Sequence, residues 1–374
     1  MIYPSAGKAL SFKAYSYTIA AMGGLMAIIL VLGNYPAFIE KYYSGGLYRL
    51  IGSLWHFLLG WVHLSVGDIF YAAIIACLIK SLLNLIANLV RKQWKQLLVD
   101  FLKLVIGLQI FICGFYLLWG LNYSRPPAAE IFQLPDSSYT TAQLQSITHL
   151  LIDSANKQRY LLTKANLHSS NRTVFISAVE AVKGLKALHV AFQSYSPSAK
   201  PSLFTPVLNY MGTAGYFNPF SSEAQVNYSM PLVNKPLTAC HEMAHQMGFA
   251  REDEANFIGF LAGINSADRL LRYSAYYLAT QEFMQQVYLR DTVAFHQLKS
   301  QLSTPVKSDM KVERLYWQHY QSRLSYFLSI FYDGFLKANK QPEGMRTYNR
   351  MVNLTMAYYK KGKSRINPTT NGLP

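Results

Sequence analysis

Cysteine is scarce in this chain: three in 374 residues, too few for a disulfide framework to hold the fold. Charge is scarce as well. Only 14% of residues are Asp, Glu, Lys or Arg, where a soluble domain carries nearer about a quarter. Acids are the rarer sign, 19 against 35 basic residues, which leaves a formal net charge of +16. Apolar residues make up 51%, enough to build a core and to exclude a disordered chain. A strongly basic balance suits loops that flank a membrane, and nothing in the sequence requires a nucleic-acid partner.

The apolar excess is concentrated. Three long runs fall within the first 121 residues, at about 17–34, 69–90 and 101–121, broken only by Lys80 and by Lys103 near an edge. Each approaches the roughly 20 residues that a spanning helix needs. No small-residue cleavage site follows the first run, so it reads as a retained helix and not as a signal peptide. The stretch 47-LYRLIGSLWHFLLGWVHLSVGD-68 between the first two runs is apolar but holds Arg49, His56, His63 and Asp68. It reads as an interfacial or re-entrant element, with a fourth span as the alternative. Lys8 and Lys13 precede the first run, and Arg91, Lys92 and Lys95 separate the second from the third. With both clusters cytoplasmic, three spans place everything beyond residue 121 outside the cytoplasm. The expected division is a membrane domain over 1–121 and an extracytoplasmic domain over 122–374.

Pro126 and Pro127 end the third helix and open an extended linker. Beyond it the pattern is mainly helical. Thr141 opens a helix to about Gln158, and a second runs from about Val174 to Gln193. Residues 194–202 read as a loop and 207–230 as a hairpin or small sheet. After Pro236 the chain reads helical, with breaks at Gly248, at 303–305 and at 341–344. The fold class expected is therefore mainly α: transmembrane helices, then a predominantly helical α+β domain with a small sheet.

One segment carries chemistry, 241-HEMAH-245. Residues four apart share a helix face, so His241 and His245 can hold one Zn²⁺. Glu242 is rotated about 100° from His241 and can act on a water at the metal instead of binding the metal. Leu237, Ala239, Cys240, Met243, Ala244 and Met247 make that helix apolar, and Cys240 reads as a small buried hydrophobe. Gly248 can end the helix with a positive φ. A catalytic zinc needs a third protein ligand. Glu252, Asp253 and Glu254 follow the turn; Glu252 and Glu254 lie two apart and cannot share a helix face, so one ligates and the other caps or supports.

The run HEMAHQMGFAREDEANFIGFLAG resembles the signature of a bacterial membrane family catalogued as domain of unknown function 3810. The resemblance extends over GLNYSRPP, GYFNPFSSEAQVN, RYSAY and YDGFLKANKQPEG, and implies a multi-pass protein of the bacterial cytoplasmic (inner) membrane. More distantly, HExxH followed by E-x-x-A-N is similar to zincin peptidases of the gluzincin type. That likeness implies Glu252 as third ligand, with Ala255 and Asn256 completing the motif, although only six residues separate the two motifs here. It implies a metallopeptidase acting on a peptide or protein substrate, with Glu242 as general base. Such enzymes place an oxyanion donor on a later helix, for which Arg272 and Tyr273 are the candidates, with His296 and His319 as alternatives. They also pair substrate with an edge strand, here 215-GYFNPFSSEAQVNYS-229; Glu223 within it reads otherwise as an exposed acid.

Overall fold

Apolar runs become helices where caps allow it, and the caps move the boundaries away from the runs. A computed structural model describes residues 11–192, 196–342, 344 and 351–366. Helix α1 (Phe12–Leu32) starts ahead of its apolar run because the Ser11 hydroxyl accepts the amide of Ala14. A helical segment follows, a turn at Pro36–Phe38 and a π-helix at Ile39–Leu47, and leads into α2 (Tyr48–Leu59). Helix α3 (Val66–Val90) is capped by Ser65, and α4 (Trp94–Leu118) begins in a polar turn that holds Lys95 and Gln96. A tight turn at Arg91–Gln93 joins α3 to α4, with Lys92 at φ 57°. Among the described residues, α1, α3 and α4 are the three helices long and apolar enough to cross a membrane.

The rest is mainly helical. Helix α5 (Thr141–Tyr160) opens with a capping box of Thr140 and Gln143, and α6 is Asn171–Gly184. The expected loop at 194–202 contains strand β1 (Ala199–Pro201), and α7 (Thr205–Met211) occupies the start of the expected hairpin. Strands β2 (Gly215–Asn218) and β3 (Glu223–Val226) complete a three-stranded sheet in the order β1-β3-β2. The β2–β3 pair is antiparallel and β1 lies parallel to β3, so β2 is an edge strand.

Then come α8 (Lys235–Gln246), α9 (Glu252–Ile264), α10 (Arg269–Arg290), α11 (Thr292–Ser300), α12 (Thr304–Tyr320), α13 (Arg323–Ala338) and α14 (Met351–Ile366). Part of the expected break at 341–344 lies outside the described residues. One apolar core joins α5, α6, the sheet and α8–α10 through side chains such as Leu144, Leu151, Met243, Phe257 and Phe283. Each such side chain stabilises the fold by about 1.5–3 kcal/mol.

A second, smaller core holds Ile29, Ile39, Tyr48, Cys113, Trp119, Phe217 and Ala250. It knits the ends of α1 and α4 to β2 and to the loop after α8, so the expected division at residue 121 is crossed by packing. The expected extended linker is corrected. Residues 120–124 form a buried 3-10 turn beneath α8, and a short helix at Ala128–Ile131 follows the proline pair.

The segment between α1 and α3 packs on the same body. Lys200 of β1 donates to the carbonyls of Leu59 and Leu64 and pairs with Glu223 at 2.6 Å. Glu223 accepts the amides of Val66 and Gly67, the first residues of α3, and the Ser221 hydroxyl. The reading of Glu223 as an exposed acid is overturned: it is 2% exposed, because it offsets the positive end of α3 and the Lys200 ammonium. Asp68 is buried too and accepts from the Leu203 amide, Ser202 and the Tyr216 hydroxyl.

Candidate metal centre

Two helices each present an i, i+4 pair, and the pairs face each other. On α8 these are His241 and His245; on α9 they are Glu252 and Asn256. The turn between them depends on Gly248, which has φ +84°. A Cβ there would also come within 2.9 Å of Asn122 Oδ1 and 3.1 Å of the Tyr48 ring. Farther along, Gly259 lets α9 lie against α8; a Cβ there would sit 3.3 Å from the amide nitrogen of His241.

Three ligand-type atoms converge. His241 Nε2 and His245 Nε2 lie 3.1 Å apart, and Glu252 Oε2 lies 3.1 Å and 3.5 Å from them. Their partners on the outer side orient the rings. His245 Nδ1 is 2.7 Å from the Phe249 carbonyl, which can only accept, so Nδ1 carries a proton and Nε2 of the neutral ring carries a lone pair. His241 Nδ1 is 2.7 Å from Asn256 Oδ1, which directs its Nε2 in the same way. Glu252 Oε1 accepts the Tyr332 hydroxyl at 2.6 Å, while Oε2 is buried and makes no hydrogen bond. Lone pairs of two imidazoles and a carboxylate aimed at one point repel unless a cation or proton lies among them. The donor set of two nitrogens and one carboxylate oxygen suits a divalent metal with a position left open. Removing the outer support should weaken binding without removing a ligand: Asn256→Ala is expected to lower metal affinity about 10–100-fold in a chelator competition assay.

The charges are coupled. Burial opposes a proton on His245, yet the adjoining Glu252 carboxylate outweighs it and holds His245 up to about 9. Burial raises Glu252, and the two histidines reverse this and hold it well below the usual carboxylate range. Burial pushes Glu242 up to about 7, against the pull of His241 and His245 and with a further rise from Glu252. Glu242 lies under β2, where a Cβ on Gly215 would come within 2.9 Å of its Oε1.

Glu254, the alternative ligand, is turned away: it accepts the Ala128 amide at 2.8 Å and lies 3.6 Å from Arg251. Two further expectations are corrected. Arg272 donates through Nε and Nη2 to the Ser266 carbonyl, beyond the far end of α9. Thirteen helical residues span about 20 Å, which separates that end from Glu252. Tyr273 is buried and donates to Asp309, which also binds Arg159 at 2.6 Å. Its neighbour Tyr277 donates in the same way to Glu313, so this pair fastens α10 to α12. His296 and His319 are exposed on α11 and α12.

Sequence reasoning overlooked the residues that arrive from elsewhere. Trp119 donates its indole N–H to the His245 carbonyl at 2.9 Å and sets its ring against the imidazole. Tyr48 donates to the Gln246 carbonyl, and Arg125 joins the Gly248 carbonyl to Glu40. Gln341 accepts the Glu252 amide. The available signal was that GLNYSRPP and YDGFLKANKQPEG, both quoted for the family, supply Arg125, Tyr332 and Gln341, with Trp119 immediately before the first.

These segments belong to one recognised unit. A family model described as "Protein of unknown function (DUF3810)" matches residues 43–356, and the chain belongs to that family. No curated protein and no solved structure matches the chain.

Proposed function

We propose that the protein is a membrane-anchored zinc metallopeptidase of zincin type, with His241, His245 and Glu252 as ligands and Glu242 as general base. The observation that carries this reading is the convergence of His241 Nε2, His245 Nε2 and Glu252 Oε2 beside a second buried carboxyl. Zinc, when bound, supplies Lewis acidity and lowers the pKa of a coordinated water toward neutrality. Glu242, raised to about 7, is suited to take a proton from the attacking water and return it to the leaving amine. Edge strand β2 runs over Glu242 and offers backbone groups for pairing with an extended peptide.

Contacts within the chain also support a membrane placement. The segment 36–65 and the body beyond Trp119 pack together and so share one side, and the turn at Arg91–Gln93 lies on the other. Arg91, Lys92 and Lys95 at that turn support a cytoplasmic turn and, with it, a metal centre on the outer side of the cytoplasmic (inner) membrane.

The burial of the ligands favours a second reading, a structural or sensing metal that clamps α8 to α9. One variant separates the two. Glu242→Gln should retain zinc in the purified protein and fail to complement a loss-of-function strain. Full complementation by Glu242→Gln would select the structural reading.

A further inference from the structure

Helix α13 has three faces. Ser325, Leu328, Tyr332 and Leu336 turn toward the body, with Leu336 fully buried and Tyr332 reaching Glu252. Tyr326, Ser329, Asp333 and Lys337 form a polar face, closed by a Lys337–Asp333 ion pair at 2.6 Å. Between these lies an apolar face open to the surroundings: Leu324, Phe327, Ile330, Phe331 and Phe335, with Phe331 83% exposed. Four of these side chains, Leu324, Phe327, Ile330 and Phe331, are half or more exposed, which packing against the described residues does not account for.

The C-terminal end of α13 is tied directly to residues at the ends of α1 and α4, and its N-terminal end reaches α3 only through α7. At its C-terminal end, Phe335 packs against Phe115 of α4 and against Tyr123. Just beyond, Asn339 accepts the Tyr116 hydroxyl at 3.1 Å and Lys340 donates to the carbonyl of Gly33, the residue that ends α1. At its N-terminal end, Ser322 donates to the Tyr210 carbonyl of α7. The residue two before α7, Leu203, donates its amide to Asp68 in the first turn of α3. A helix of 16 residues, about 24 Å long, thus has its C-terminal end at the same-side ends of α1 and α4, with α7 lying between its N-terminal end and the first turn of α3.

We infer that α13 lies in the plane of the membrane, with Leu324, Phe327, Ile330 and Phe331 immersed at the boundary of headgroups and acyl chains and Phe335 joining that face to α4. Arg323, Lys337 and Lys340 flank that face and suit anionic headgroups. The adjoining, body-facing stripe of the same helix carries Tyr332, so the lipid surface and the carboxylate of the metal cluster are linked through one helix. The inference rests on the three spans being in a bilayer and is independent of whether the centre hydrolyses anything.

Site-directed spin labelling of the full chain in phosphatidylcholine–phosphatidylglycerol vesicles tests it. Cys77, the exposed native thiol, is replaced by serine; Cys113 and Cys240 are buried. Labels are introduced one at a time by Phe327→Cys, Ile330→Cys, Phe331→Cys, Tyr326→Cys and Lys337→Cys, with Leu83→Cys in α3 as reference. At 327, 330 and 331, relaxation by oxygen should exceed that by a water-soluble nickel chelate several-fold, as at 83. At 326 and 337 the order should reverse. Chelate access at 327, 330 and 331 equal to that at 326 and 337, with 83 still lipid-like, would overturn the inference and leave the membrane reading standing. Water-like behaviour at 83 itself would remove the membrane reading and the inference with it. Spin–spin broadening between labels at 331 would assign the face to a second copy of the chain and likewise overturn it.

Discussion

His245→Ala is expected to lower the zinc content of the purified protein from about one per chain to background, as read by elemental analysis. The imidazole has no free choice of role. Its Nδ1 proton is committed to the Phe249 carbonyl, so Nε2, 3.1 Å from that of His241, is the nitrogen left to give up its proton to a metal. Alanine leaves one imidazole and one carboxylate, too few ligands for a tetrahedral site. Glu252→Gln should act similarly, because it removes the anionic oxygen that is buried without a hydrogen bond. Glu254→Gln should keep its metal, since that carboxylate faces Ala128 and Arg251. Because metal bound to the folded state alone stabilises it, metal loss should also lower thermal stability, by about 4 kcal/mol at free zinc 1,000 times Kd. Zinc retained at about one per chain after loss of both histidines would exclude the site.

Lys200→Met is expected to destabilise the protein by about 3–5 kcal/mol, a fall measurable in the thermal midpoint of the detergent-solubilised chain. All three ammonium protons have acceptors, Glu223 and the carbonyls of Leu59 and Leu64. Methionine keeps the unbranched four-atom stem without the ammonium and leaves a buried carboxylate without its counter-charge. The amides of Val66 and Gly67 still face Glu223, so the helix terminus offsets part of the loss. Adding Glu223→Gln to Lys200→Met should recover part of the stability, because the unpaired charge is then gone. Lys186→Met on the exposed surface should change stability by less than about 0.5 kcal/mol. A Lys200→Met protein as stable as Lys186→Met would show that the buried pair does not hold α2 and α3 to the sheet.

What could be read from the chain was local. His241 and His245 are four apart on a helix, and that spacing alone places both imidazoles on one face. Glu252 was identified through a motif likeness, and the turn at Gly248 then accounts for how six intervening residues suffice. Tyr332 and Trp119 left no comparable signal, since they lie 80 and 126 residues from the groups they hold. Arg272 and Tyr273 were assigned chemistry because they follow the motif in sequence. The structure uses one to finish α9 and the other to bind Asp309, since a helix carries successive residues away from the site as readily as toward it.

By itself the sequence determined the three apolar helices, the helical character of the remainder and the pair of histidines. Run length and the helical repeat are properties of neighbouring residues. Tertiary structure alone decided that Glu223 and Lys200 are a buried pair, that Tyr332 and Trp119 reach the metal cluster, and that the segment after α4 lies beneath α8. Each of these depends on contacts between distant residues, whose free energy is gained only when the helices pack and water is expelled.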